Sequence, residues 1–364
     1  NTTDLNWMAG SQYVYSFGKC IFMPADLTAG IEFNQDKLED NMWGYHRTVD
    51  QKVNIGSAFF QNEWKNEHWG FLIGGRLDKH NLIDHVIFSP RANLRYNPTE
   101  NINLRFSYSS GFRAPQAFDE DLHVENVGGN VAMVELADNL KEERSQSLSA
   151  SADIYHRFGA FQVNFLVEGF YTKLSDVFAL TDGEVVDGIL TRTRYNAPGA
   201  RVMGLTLEGK MAYLTKFQLQ AGVTLQQSHY SEPHVWNPDA PAVKKMMRTP
   251  NTYGYFTATY TPIKPLSIAL SGTYTGSMLV PHEPVPGFLE KPITVNTKDF
   301  FDIGLKAAYD FKLYKSMNLQ VNAGVQNIFN AYQNDFDKGA DRDSGYIYGP
   351  SLPRSFFAGV KISY

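Results

Sequence analysis

Phe217-Gln218-Leu219-Gln220-Ala221-Gly222-Val223-Thr224-Leu225-Gln226 is the stretch that decides the fold. Phe217, Leu219, Ala221, Val223 and Leu225 share one face, and Gln218, Gln220, Thr224 and Gln226 take the other. A period of two with one apolar and one polar side is the pattern of a β-strand, since a helix would repeat every 3.6 residues. The same alternation sets Leu319, Val321, Ala323 and Val325 against Gln320, Asn322 and Gln326. It also sets Ile102, Leu104, Phe106 and Tyr108 against Asn103, Arg105, Ser107 and Ser109, and Phe161, Val163, Phe165 and Val167 against Gln162, Asn164 and Glu168. It continues almost unbroken from about residue 7 to Tyr364, so the chain is predicted to be all-β.

Composition agrees. Of 364 residues, 5 are Trp, 20 Tyr and 25 Phe, a load that favours extended strands and excludes intrinsic disorder. The longest stretch free of Asp, Glu, Lys and Arg, Ser316 to Asn334, contains Asn318, Gln320, Asn322, Gln326, Asn327 and Asn330, so no helix crosses a bilayer there. The net charge of -5, without a basic run, argues against a nucleic-acid partner. A lone Cys20 allows no internal disulfide. The opening Asn-Thr-Thr-Asp lacks the basic-then-apolar layout of a signal peptide, which implies either its removal or a start other than the natural one.

Fifteen strands are predicted, at 7–23, 26–39, 51–65, 68–82, 84–97, 101–112, 142–158, 161–178, 191–213, 217–231, 250–262, 265–276, 298–312, 317–331 and 354–364. Tight turns such as Pro24-Ala25, Asn66-Glu67, Gly159-Ala160 and Thr215-Lys216 alternate with the connections 40–50, 82–84, 113–141, 179–190, 232–249, 277–297 and 332–353. Short on one side and long on the other is the pattern of an outer-membrane barrel with periplasmic turns and extracellular loops. Barrel closure also satisfies every backbone polar group without water. The expected fold is a transmembrane antiparallel up-and-down β-barrel. An odd count places Asn1 on the extracellular side and suggests a fragment.

Particular segments carry a resemblance. Pro90-Arg91-Ala92-Asn93-Leu94-Arg95-Tyr96-Asn97-Pro98 with Leu104-Arg105-Phe106-Ser107-Tyr108-Ser109-Ser110-Gly111-Phe112-Arg113-Ala114-Pro115 resembles the barrel signature of TonB-dependent outer-membrane receptors. Leu140-Lys141-Glu142-Glu143-Arg144-Ser145 and Gly169-Phe170-Tyr171-Thr172-Lys173-Leu174-Ser175-Asp176 resemble the family's next hairpin. Val325-Gln326-Asn327-Ile328-Phe329-Asn330 and Ser355-Phe356-Phe357-Ala358-Gly359-Val360 resemble its closing strands, and a terminal aromatic, Tyr364, resembles the family's assembly signal. The resemblance implies a barrel of about 22 strands with a plugged lumen. Residues 1–364 would then be the C-terminal portion, about 15 strands, with the plug domain and first strands not present. It implies TonB-energised import of a scarce large nutrient: a ferric siderophore or other metal chelate, cobalamin, haem or a glycan. The implied partners are outer-membrane lipid, the plug domain of the same protein, and TonB through the N-terminal part. The alternative is a passive porin or surface adhesin barrel.

No catalytic motif is present: there is no G-x-S-x-G, H-E-x-x-H, Walker loop or Cys pair. Nine His residues fit no metal-ligand spacing, and no cofactor is expected. Arg91, Arg95, Arg105, Glu168 and Lys306 fall on the polar faces of their strands, where they would line a wet lumen. Among the loops, Trp236, Tyr346, Tyr348 and His282 are the expected ligand-binding residues, because aromatic rings on long surface loops suit a large ligand. Trp43, Tyr45 and Phe288 are further loop aromatics. The loops 113–141, 232–249, 277–297 and 332–353 are expected to form an outer vestibule.

Overall fold

The computed structural model describes residues 1–45, 47–115, 131–186, 189–314, 316–339, 342–343 and 345–364. Much of the predicted 113–141 loop therefore lies outside the described residues. Fifteen strands follow one another through a single sheet. They are β1 (Thr2–Cys20), β2 (Met23–Met42), β3 (Arg47–Lys65), β4 (Trp69–His80), β5 (Ile87–Thr99), β6 (Ile102–Arg113), β8 (Glu143–Phe158) and β9 (Phe161–Ser175). There follow β12 (Ala200–Tyr213), β13 (Phe217–His234), β15 (Thr252–Ile263), β16 (Leu266–Thr275), β19 (Phe300–Tyr314), β20 (Met317–Gln326) and β21 (Ser355–Ser363). Every pair along this wall is antiparallel, each strand beside its neighbour on the path, and all fifteen coincide with predicted segments. β1 and β21 stand at the ends of the path, and no pairing joins them among the described residues.

Six shorter strands occupy the long connections: β7 (Val131–Leu136), β10 (Val177–Val186), β11 (Ile189–Ala197), β14 (Val243–Lys245), β17 (Leu279–His282) and β18 (Ile293–Asn296). They correct the predicted boundaries. The expected loop 179–190 is the hairpin β10–β11, extended by a parallel pairing of β11 with β7. Residues 191–197 therefore belong to this loop sheet and not to the wall. The expected long connection 40–50 shrinks to a single 3-10 turn, Trp43–Tyr45, between β2 and β3. Strand β20 ends at Gln326, before the predicted 331, because Asn327 and Asn330 take left-handed backbone angles of 50° and 55°. The Asn327 side chain stabilises that bend, accepting from the Ala331 N–H (2.7 Å) and donating to the Ala331 and Leu352 carbonyls (3.1 and 3.0 Å).

Register assigns the two faces. Glu32, Arg76, Asp78 and Ser57 meet on one side of β2, β3 and β4: Arg76 reaches Glu32 at 2.9 Å and Asp78 at 2.8 Å, and Ser57 donates to Asp78 at 2.6 Å. Farther round the same face, Glu208 receives Lys210 (2.8 Å) and the Tyr255 hydroxyl (2.8 Å). On the opposite face Leu104, Phe106, Phe165, Leu205, Leu305 and Val321 are all exposed. A continuous apolar face with no protein over it is stable only against hydrocarbon, so this face is the lipid side and the ionic one the lumen side. Several strand glycines lie directly opposite aromatic residues: a Cβ at Gly324 would come 2.4 Å from the Phe357 ring and one at Gly272 2.3 Å from that of Phe256. The ring fills the place of the missing side chain, a device that keeps a curved wall packed.

Candidate functional site

The long-connection end of the wall carries a compact clasp. Hairpin β17–β18 supplies Val280 and His282, and the segment 327–354 closes over it with Gln333, Asp335, Asp337, Tyr346 and Tyr348. Met278, Val280 and Tyr346 are buried together, with Val295 and Tyr348 packed against them. The His282 and Tyr346 rings stack at 3.8 Å with only 7° between their planes. His282 Nε2 lies 2.8 Å from Asp337 Oδ2, and both side chains are buried. Gln333 is wholly enclosed: its amide donates to the Tyr346 carbonyl (2.9 Å), and its Oε1 accepts from the N–H of Tyr348 (2.8 Å). From the neighbouring loop Arg248 donates to the carbonyls of Gly345 (2.6 Å) and Ile347 (2.9 Å), so three connections are tied together.

Asp335 accepts from the Tyr348 hydroxyl at 2.6 Å and from that of Tyr346 at 3.4 Å. Burial, and then the Asp335 carboxylate beside them, push both phenols above the ordinary tyrosine range. His282, Asp337 and Asp343 bring ligand atoms within 4.8 Å of one another. These groups are bonded to one another and to the backbone: Asp343 accepts from the N–H of Glu283 (2.9 Å) and Asp337 from the N–H of Asp343 (3.2 Å). As it stands, the trio is a loop fastener.

Of the four predicted ligand residues, the structure thus brings Tyr346, Tyr348 and His282 into one cluster. Tyr346 and His282 are buried within it, and Tyr348 is half-buried at its edge. Trp236 stands apart on the 232–249 connection, half-buried, and its indole N–H has no partner among the described residues. Sequence reasoning missed Gln333, Asp335 and Asp337, which hold the aromatics in place. The segment Gln333-Asn334-Asp335-Phe336-Asp337, with four polar residues in five, was the available signal, but nothing in it names a partner.

All five predicted lumen residues lie on the ionic face. Arg95 and Arg105 are directly opposite in the β5–β6 register, and Arg95 donates to the carbonyls of Asn66 (3.0 Å) and Trp69 (3.4 Å) at the short-turn end. Arg91 faces Gly74 and Ser109, Glu168 faces Ser151 and Thr206, and Lys306 faces Ala269 and Gly324. None of Arg91, Arg105, Glu168 and Lys306 makes an ion pair among the described residues. A second polar node sits at the rim. Arg113 lies 4.8 Å over the Phe178 ring and 3.7 Å from Glu143, while the buried Glu142 takes Arg144 at 2.7 Å and His85 at 3.1 Å. Burial alone would raise the Glu142 carboxyl, but the hydrogen bonds from Arg144, the backbone and His85 outweigh it and hold the group below the usual carboxylate range.

The family described as TonB dependent receptor-like, β-barrel, matches residues 1–328. No curated protein sequence matches the chain. Among solved structures, the ferric enterobactin receptor PfeA of Pseudomonas aeruginosa is similar at 18% identity and a TM-score of 0.68, over 99% of this chain and 54% of that one. The siderophore receptor PirA of Acinetobacter baumannii aligns at 17% and 0.69, over 100% and 55%. The ferric-catecholate import receptor Fiu of E. coli K12 aligns at 14% and 0.69, over 99% and 54%. The chain therefore spans about half the length of the solved proteins it matches, and identities this low speak to the fold.

Proposed function

The chain belongs to the TonB-dependent receptor family of outer-membrane β-barrels, and from that premise we propose that its full-length protein imports a scarce, large metal chelate. Members of this family are transporters and not enzymes, in keeping with the lack of a nucleophile and base pair in the sequence. In this reading residues 1–364 form the C-terminal part of a larger barrel, whose plug domain and TonB-contacting segment belong to the rest of the protein. The length relation to the solved receptors supports it.

The observation that carries the proposal is the clasp. Its long connections are bonded to one another and packed, through Tyr348, on Phe300 of the wall, and ordered loops on a rigid wall are where recognition resides. Trp236 and the exposed edge of Tyr348 supply the contact surface for a large ligand, with Tyr346 and His282 holding them in position. On the lumen face Arg91, Arg105 and Lys306 make no ion pair among the described residues and are available to the anionic groups of such a chelate.

A deletion strain carrying the full-length gene should grow on one class of iron chelate as sole iron source and lose that growth when TonB is removed. Growth independent of TonB, on small solutes only, would establish the passive porin instead.

A further inference from the structure

On the lipid side of the wall, just above the apolar band, four strands place one cationic or titratable side chain each in a single lateral row. The register reads Lys173 opposite Arg201, Arg201 opposite His229, and His229 opposite Lys245. Neighbouring strands are about 4.8 Å apart, so the row spans roughly 14 Å. All four residues share the face of Tyr171, Met203, Leu205 and Leu225, which is opposite to that of Glu208 and Gln220. Like charges directly opposite one another across strands are destabilising.

No acid among the described residues relieves this row. The side chains of Lys173, Arg201, His229 and Lys245 make no hydrogen bond or ion pair with any described residue, and Asp176 and Glu232, the nearest acids in sequence, do not pair with them. Lys210 on the lumen side and Lys37 on the lipid side do have acids, Glu208 at 2.8 Å and Glu39 at 3.7 Å, whereas Arg91, Arg105 and Lys306, which also make no ion pair among the described residues, face the wet lumen. Below the row the wall is hollowed. A groove of about 840 Å³ runs between Phe106, Leu148, Tyr171, Met203 and Leu205, with Ala150 at its base. Its floor also includes Gly169, where a Cβ would meet nothing within 4 Å. The first outward residues under the row, Tyr171 and Met203, lie about 7 Å down the strands, two residues at about 3.3 Å each.

We propose that this surface binds a phosphorylated glycolipid of the outer leaflet, its phosphates on Lys173, Arg201 and Lys245 and one acyl chain in the groove. The long-connection end of the wall is the extracellular end, so the row lies at headgroup depth and the groove at acyl depth. An unpaired cationic row directly over an apolar hollow matches a ligand with an anionic head and a hydrocarbon tail. A protein partner would need carboxylates on a transmembrane surface.

The test uses full-length receptor purified from outer membranes and titrated with diphosphorylated lipid A in detergent, with bound lipid counted by native mass spectrometry. One lipid A per receptor is expected to bind. The pair Lys173→Gln and Arg201→Gln should lower affinity at least tenfold, and Lys173→Arg with Arg201→Lys should restore it. Gly169→Leu, which fills the groove and leaves charge untouched, should weaken lipid A severalfold, and inorganic phosphate should fail to displace it. Should the double variant not assemble, Lys245→Gln, on a loop strand outside the wall, supplies the charge test. Equal lipid A binding by wild type and the charge variants would overturn the proposal. So would displacement by phosphate together with a neutral Gly169→Leu, which would leave only an anion site.

Discussion

Replacing Tyr346 by alanine should open the clasp and leave the wall standing. Tyr346 is 5% exposed, stacked on His282, and packed with Met278 and Val280. Truncating a buried aromatic to alanine costs about 3–5 kcal/mol, a figure that already includes the cavity and the lost stacking. Its hydroxyl adds little, because the contact with Asp335 is 3.4 Å long. Loops open locally at free energies well below that of global unfolding, so the whole loss is felt by segments 278–296 and 327–354. At about 1.4 kcal/mol per tenfold, amide exchange in those segments should accelerate by about two to three and a half orders of magnitude. Hydrogen exchange read by mass spectrometry on the receptor in detergent measures it, with β19 and β20 as the unchanged reference. Tyr346→Phe should behave as wild type. If the alanine variant exchanged at the wild-type rate, or phenylalanine were as damaging as alanine, ring packing would not be what holds the clasp.

Gly324→Val should impair assembly or cost about 1–3 kcal/mol by overpacking, because its Cβ would meet the Phe357 ring at 2.4 Å and the Leu305 carbonyl at 2.6 Å; heat-modifiable gel mobility reads the effect. The clasp should also loosen at alkaline pH. Tyr346 and Tyr348 have raised pKa values in the folded loop, so their stabilisation is complete below the unfolded value of about 10 and is lost as pH rises through the folded one. Proteolysis of 327–354 should therefore increase between pH 9 and the strongly alkaline range of about 11–12, and Tyr348→Phe should blunt the dependence. Arg113→Ala should cost about 1 kcal/mol, since its ring contact and ion pair are partly exposed, and should show as faster cleavage within 177–197 at an unchanged barrel melting temperature.

The wall was legible because lipid on one side and water on the other force every strand into the same period, as Phe217 to Gln226 shows. Where the prediction slipped, the same period was at work for another reason. Thr191 to Asn196 also alternates, but it does so between β10 and β7, with Arg194 wholly buried 5.8 Å from the Phe178 ring. Alternation says that a strand has two unlike faces and does not say which sheet it joins. At 327–331 the apolar pattern runs on through Ile328 and Phe329, yet two asparagines with left-handed angles end the strand. Asparagine tolerates that conformation better than most residues, and its side chain can bond the bend it creates.

The site was legible only as residue types. Tyr346, Tyr348 and His282 stood out as loop rings, but their partners lie 55 residues away for His282 with Asp337 and 13 for Tyr348 with Asp335, separations that no periodicity encodes. Those partners alter what the rings do. A tyrosine buried on a histidine and fixed through Gln333 is framework, and under the proposed function the half-buried Trp236 and Tyr348 are then the residues to test for ligand contact. Such a division has an energetic advantage for capture at low concentration. Each rotamer-rich side chain ordered on binding costs about 0.5–1.5 kcal/mol, and a clasp already bonded before the ligand arrives avoids most of that loss. On this argument substitutions at Tyr346 and His282 should weaken ligand capture by slowing association with a disordered mouth, whereas substitution of Trp236 should act on the dissociation rate of a mouth that remains intact.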